Sequence, residues 1–333
     1  MRRFAAWTLA CTVLLAGCAT GAEQGLGFGF DLQGHRGARG LRPENTLAGF
    51  EYALRLGVTT LELDCGVTKD GVVVVSHDRV LNPEHTRGPD GRFLTALGPA
   101  IVTLDYEELR RYDVGRIQPG SDLATRFPEQ QPVDGERIPQ LAEVFALVER
   151  SGDRDVRLNI ETKLDPIVPA ETVAPPEFAR ALVAAIREAG MASRTTVQSF
   201  DWRTLRLVRE LAPEIALVAL TDQQPGEDTI EAGKPGASPW LGGLDVDDHG
   251  GSVPRLVAAL GAKTWSPHGR DLTPDSVAEA HALGLAVVPW TLNEPADMAL
   301  AIAAGVDGII TDYPDRLRAL LASKGIAVPA PPR

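Results

Sequence analysis

Apolar runs alternate with amphipathic stretches along nearly the whole chain. "FDLQGHRG" has the pattern of a strand, and "ENTLAGFEYALRLG" repeats apolar positions at helical spacing and ends on Gly57, a C-capping residue. "TTLELDCGV" reads as a second strand, "IPQLAEVFALVERSG" as a helix with Pro139 near its first turn and Gly152 at its end, and "VRLNIETK" as a strand. The alternation continues. "PPEFARALVAAIREAG" is a helix, "TTVQSF" a strand, "DWRTLRLVRELAP" a helix opening on an Asp cap, and "IALVALTD" a strand. Helices at "SVPRLVAALG", "TPDSVAEAHALG" and "PADMALAIAAG" separate strands at "AKTWSP", "LAVVPWTLN" and "VDGIITD", and "YPDRLRALLASKG" closes the series. Strands that alternate with helices form a parallel sheet. Eight such units predict a (β/α)8 TIM barrel. The other arrangement, an open doubly wound sheet, lacks the glycine-rich phosphate loop expected after its first strand.

Two segments break the rhythm. Residues 79–138 are rich in Pro, Gly and charge, with a short helix signal at "LDYEELRRYD", and read as an inserted loop region over one barrel mouth; residues 222–251 are similar. Before the first of these, "VTKDGVVVVSHD" reads as a hairpin excursion after the second strand. With Asp70 and Gly71 as a two-residue turn, Asp64 faces His77 directly, and Glu62 shares their face because side chains alternate with period two.

A net charge of −12 argues against a nucleic-acid partner, which needs clustered Lys and Arg. The first residues stand outside the barrel pattern. "MRR" is a basic leader, "FAAWTLACTVLLAG" is too short for a comfortable membrane span, and "LLAGC" resembles a bacterial lipoprotein signal. That resemblance implies a signal over residues 1–17 and acylation of Cys18; low complexity marks a tether over 18–29, and the strand–helix alternation a barrel over 30–325 with a tail over 326–333. The lipoprotein resemblance also implies a place on the periplasmic face of the envelope; Ala19, not Asp, after the cysteine favours the outer membrane. Cys11 leaves with the signal, so Cys65 has no partner and is expected to be a buried small hydrophobe. No heptad or long apolar stripe suggests a strong interface, which fits a monomer or weak oligomer.

Ionisable residues collect at the ends of the first three strands: His35 and Arg36, Glu62 and Asp64, Glu161 and Lys163. Barrel enzymes gather functional groups there. Three carboxylates suit one hard divalent cation, Ca²⁺ or Mg²⁺, though a strand-end ion-pair cluster has the same spacing. Arg36 and Lys163 can clamp an anion such as phosphate, and two histidines can divide the work of base and acid. Metal, cations and imidazoles together suit phosphodiester cleavage.

The string "GHRG…PENTLAGF…GVTTLELDCGVTKDGVVVVSHD", continued through "RIPQLAEVF", "LNIETK", "VQSF", "PWTLN" and "GVDGIITDYPD", strongly resembles the glycerophosphodiester phosphodiesterase family over nearly the whole mature chain. The resemblance implies a TIM barrel, one Ca²⁺ or Mg²⁺, and hydrolysis of glycerophosphodiesters to glycerol 3-phosphate and an alcohol. It places metal ligands at Glu62, Asp64 and Glu161, catalytic histidines at His35 and His77, phosphate contacts at Arg36 and Lys163, and an aromatic beside the substrate glycerol at Trp290. Phe200 either lines the same pocket or packs in the core. Which histidine is the base, and whether a glycerol hydroxyl or water attacks, stay open. Glu44 and Asn45 are expected to start and cap the first helix, Asp78 to orient His77 or begin the loop, and Asp312 to have a structural hydrogen-bonding role. His85, His249, His268 and His281 are expected to be solvent-exposed, with His268 able to reach the pocket.

Overall fold

The alternation read from the sequence closes into a barrel. A computed structural model describes residues 29–328. Its strands are β1 (Asp31–Gly34), β2 (Thr60–Val67), β3 (Val73–Val75), β4 (Arg157–Thr162), β5 (Thr195–Ser199), β6 (Ala216–Thr221), β7 (Thr264–Pro267), β8 (Ala286–Val287) and β9 (Gly308–Thr311). All but β3 run parallel, in the order β8-β7-β6-β5-β4-β2-β1-β9. Asp307 N donates to Val287 O at 2.9 Å and Ile310 N to Pro289 O at 3.0 Å, which joins β8 to β9 and closes the ring. β8 is short because Pro289 has no N–H to extend the ladder.

The parallel strands are each followed by a major helix, such as Leu47–Leu56 after β1, Leu141–Ser151 after the β2–β3 hairpin and Pro175–Glu188 after β4. Helix ends follow the expected chemistry. Thr46 caps the first helix by accepting from Gly49 N, and Gly57 ends it in the left-handed region at φ 76°. Leu61, Leu63 and Cys65 on β2 and Leu158 and Ile160 on β4 face outward into the strand–helix core and are fully buried. The intervening residues therefore face the barrel interior, where Glu62, Asp64 and Glu161 stand.

The hairpin is real but its register differs from the expected one. Cys65 pairs with Val75 and Val67 with Val73, so Asp64 lies opposite Ser76, whose N–H donates to Asp64 O at 2.9 Å. The turn has three residues, not two: Gly71 N bonds back to Thr68 O and Gly71 adopts φ 83°. Such loops close a type I turn with a left-handed residue. His77 follows the end of the pairing and is freed from its alternation.

Residues 79–138 form a satellite core in which Leu81, Ile101, Leu109, Val114 and Ile138 pack on Val74 of the hairpin. The short helix Tyr106–Leu109 falls where its signal predicted. A second short helix, Asp122–Arg126, carries the segment over the β1–β9 side of the mouth, where Gln130 Nε2 donates to Arg39 O and Arg316 bonds Glu129. The leader 1–17, Cys18, nearly all of the 18–29 tether and the last part of the tail lie outside the described residues. Among those described, no helix is long and apolar enough to cross a membrane.

Candidate active site

A cleft of about 290 Å³ opens at the C-terminal ends of the strands. His35 and Arg36 leave the end of β1 on a tight loop, with Arg36 itself at φ 51°. This unusual backbone for a non-glycine residue turns its N–H onto Glu62 Oε2 at 2.8 Å while its guanidinium reaches Glu44 Oε1 at 2.7 Å and lies 3.4 Å from Asp64 Oδ2. Asp64 and Glu161 are register partners on adjacent strands, so their side chains stand side by side. Lys163, just past β4, donates to Glu161 Oε1 at 2.8 Å and sits 3.8 Å from Asp64 Oδ1.

Glu62, Asp64 and Glu161 are buried, and each offers an oxygen within 4.8 Å of the others. Burial, then the charge of Asp64, drives the Glu62 pKa well above its ordinary value. Burial also pushes Glu161 up to about 7, with Lys163 opposing and Asp64 adding to the rise. Burial disfavours an ionised Asp64 as well, but Arg36, His77 and Lys163 outweigh it and hold that carboxyl well below the usual range. Asp64 Oδ1 is buried with no hydrogen-bond partner. An orphaned carboxylate oxygen among three crowded carboxyls fits a hard divalent cation, which would neutralise the repulsion and complete the oxygen's coordination. A second acidic group, Asp222 and Asp271 with His268, lies toward the rim, but hydrogen bonds from its own loops occupy it.

Each histidine has its own carboxylate. His35 Nδ1 is 2.6 Å from Asp312 Oδ1, and His77 Nδ1 is 2.9 Å from Asp78 Oδ1. Although burial opposes it, His35 holds Asp312 down at about 2. An ionised carboxylate on Nδ1 fixes the proton there and leaves Nε2 for the cleft. Burial, with Arg36 and Lys163, lowers His77 to about 4; burial also lowers His35, with Asp312 pulling the other way. Both imidazoles are therefore neutral at neutral pH.

Across the cleft, Trp290 and Phe200 meet edge to face with centroids 5.3 Å apart, and His268 meets Trp290 in the same way at 5.2 Å. Trp290 Nε1 donates to Ser266 O at 3.0 Å, which fixes the ring. Phe200 lines the cleft, with Lys163 Nζ 5.9 Å from its ring centre.

Several partners differ from the sequence expectation. Glu44 and Asn45 do not cap the first helix; Thr46 does. Glu44 instead pairs with both Arg36 and Arg39, and Asn45, at φ 54°, donates Nδ2 to Asp64 Oδ2 at 2.9 Å and accepts from Asp64 N. His85 is half-buried, not exposed, because Asp78 binds it; His249 and His268 are half-buried too, and only His281 is exposed. Gln198 was not foreseen. It donates to Glu62 Oε1 at 2.7 Å, beneath which Asn159 links Gln33 and Gln198 in an amide layer. Its position two before Phe200, and hence on the same face, was the available signal. Arg126 and Glu227, from the two irregular segments, reach the cleft rim.

A barrel of parallel strands with acids, cations and imidazoles at its C-terminal mouth defines a phosphoester-hydrolase type of site. The model of the glycerophosphoryl diester phosphodiesterase family matches residues 35–316, and the chain belongs to that family. It is 31% identical over 291 residues to a glycerophosphodiester phosphodiesterase of Caldanaerobacter subterraneus subsp. tengcongensis, covering 87% of this chain and 97% of the relative. A Silicibacter pomeroyi DSS-3 structure assigned to the same family superposes with a TM-score of 0.79 at 38% identity, covering 89% of this chain and 94% of the other. An Oleispira antarctica phosphodiesterase bound to the product sn-glycerol-3-phosphate shares the fold, with a TM-score of 0.62 at 21% identity, covering 87% and 96%.

Proposed function

We propose that this chain hydrolyses glycerophosphodiesters, the soluble remnants of deacylated phospholipids, to glycerol 3-phosphate and an alcohol. The observation that carries this reading is the convergence, in one cleft, of three buried carboxylates, two flanking cations and two carboxylate-oriented histidines. Glu62, Asp64 and Glu161 would hold one Ca²⁺ or Mg²⁺, since an all-carboxylate oxygen set favours hard cations. When bound, the ion supplies Lewis-acid stabilisation of charge developing on the phosphoryl oxygens. Arg36 and Lys163 add fixed positive charge on the same side. Of His35 and His77, both neutral at rest, one takes the proton of the attacking water or glycerol hydroxyl and later returns it to solvent, while the other first gains a proton from solvent and then delivers it to the departing alkoxide; if a glycerol hydroxyl attacks, water opens the cyclic ester with the two roles exchanged. Trp290 and Phe200 form the apolar wall for the glycerol carbons.

The start of the chain supports a place on the periplasmic face of a bacterial envelope, held by an acyl group on Cys18. The described chain enters β1 from the barrel end opposite the cleft.

The test is a chelator-stripped form starting at residue 19, assayed for glycerol 3-phosphate release from a panel of glycerophosphodiesters with Ca²⁺ or Mg²⁺ added singly. Metal-dependent release that is lost in Glu62→Gln and His35→Ala, both still folded, is expected. Release unaffected by chelation, or full activity in both variants, overturns the assignment.

A further inference from the structure

Asp78 is a junction between the cleft and the inserted segment. Its Oδ1 meets His77 Nδ1 at 2.9 Å, and its Oδ2 accepts from Asn82 Nδ2 at 2.9 Å and from His85 Nε2 at 3.1 Å. Three donors thus converge on one carboxylate, and two of them come from the insertion. Burial raises the Asp78 pKa, but the bonds from His77 and His85 reverse this and hold it well below the usual carboxylate range. His85 itself is faced by Asp78 from the loop after β3, and by Glu44 and Arg39 from the loop before the first helix. Burial disfavours its charge, and Asp78 and Glu44 more than offset that. The segment is anchored in turn: Asn82 Oδ1 accepts from Glu84 N at 2.9 Å, and Glu84 Oε1 accepts from Leu123 N at 3.0 Å, at the helix that carries Arg126 to the cleft.

A carboxylate held on both oxygens cannot swing between partners, and a second donor on the far oxygen aims the near one more firmly. We infer that His85 is a positioning residue for the hydrolysis: joining Asn82 on Asp78 Oδ2, it completes a two-donor grip that keeps Oδ1 on His77 Nδ1 and so fixes the tautomer and aim of His77. The inference rests on the functional reading above. It gives the insertion a part in the chemistry, because a loop outside the barrel then sets the geometry of a catalytic side chain inside it.

The test uses the full chain loaded with metal. His85→Phe keeps bulk and removes the donor; His85→Gln returns an amide N–H close to where Nε2 stands. Phe at this position is expected to lower kcat about tenfold with KM within about twofold, and Gln to restore kcat to within about threefold. In proton–nitrogen spectra of the imidazoles, the His77 Nδ1–H signal is expected to persist in wild type and His85→Gln and to be lost in His85→Phe. An unchanged kcat in His85→Phe, or equal loss in both variants, overturns the inference, since packing alone would treat them alike. If His85→Phe does not fold, His85→Gln against the shorter His85→Asn decides, and equal kcat values refute the role. A wild type inactive on every diester would retire the functional reading, while the His77 signal would still decide the His85 contact.

Discussion

The buried carboxylate cluster predicts that metal binding and pH are linked, and the linkage has a sign. In the metal-free protein, burial raises Glu161 from an ordinary 4.5 to about 7. A raised carboxyl contributes stability that is complete below 4.5 and lost as pH climbs through 7, here roughly 3 kcal/mol. His77 works the other way. Its pKa of about 4, against an ordinary 6.5, gives stability that is present above 6.5 and lost as pH falls toward 4. The melting temperature of the metal-free protein is therefore a difference between opposing terms, and the informative quantity is the rise in Tm that metal causes at each pH. A cation needs Glu161 deprotonated, and the raised Glu62 as well, so its apparent affinity should fall at least about tenfold per pH unit below 7. Thermal unfolding with and without fixed Ca²⁺ or Mg²⁺ should show almost no stabilisation at pH 5.5. At pH 8 the stabilisation should be on the order of 5 °C, the scale of a few kcal/mol in a chain this long. In Glu161→Gln the dependence should weaken, with Glu62 carrying what remains. A wild-type shift equal at pH 5.5 and pH 8 would refute the linkage.

Asn45→Gly should keep the backbone, since glycine accepts φ 54° without strain, yet lose both bonds to Asp64; calorimetry should then find metal binding about tenfold weaker, and an unchanged Kd would exclude the role. Lys163→Gln should raise KM about tenfold or more and weaken glycerol 3-phosphate binding while the protein stays folded; an unaltered KM would remove Lys163 from the phosphate contacts. Thr46→Ala should cost about 1 kcal/mol in denaturant unfolding, since its hydroxyl both caps the helix Leu47–Leu56 and donates to Pro43 O, and should change kcat less than about twofold, because it touches no side chain of the cleft.

The barrel was legible because its signal is local and repeated: apolar runs are bounded by turn residues, and the helices after the parallel strands open on a capping side chain or on a proline. The acids were legible for the same reason, as a spacing of two on a strand puts Glu62 with Asp64 on one face. What escaped was set by other parts of the chain. Glu44 and Asn45 precede a helix and look like caps, but Arg36 and Asp64 claim their side chains across the barrel mouth. His85 sits in a polar loop that composition marks as solvent-facing, and only the fold of the insertion brings it to Asp78. The hairpin register slipped by one because Asp-Gly serves in both two- and three-residue turns; a two-residue type I′ turn needs Asp70 as well as Gly71 at positive φ, and only Gly71 takes it.

Cys65 lies on β2 directly after Asp64, facing the opposite side of the strand and fully buried. In a form that starts after Cys18 it is the only thiol in the chain. Burial, then the charges of Asp64, Glu62 and Glu161, push its pKa well up, so no thiolate is available to a reagent while β2 is seated. Chemical labelling of this one sulfur therefore reports how often the strand that bears two of the proposed metal ligands lifts away from the helices behind it. The protein carries a built-in clock for the opening of its own active-site strand, and the rate at which that clock runs should slow when a cation ties β2 to β4.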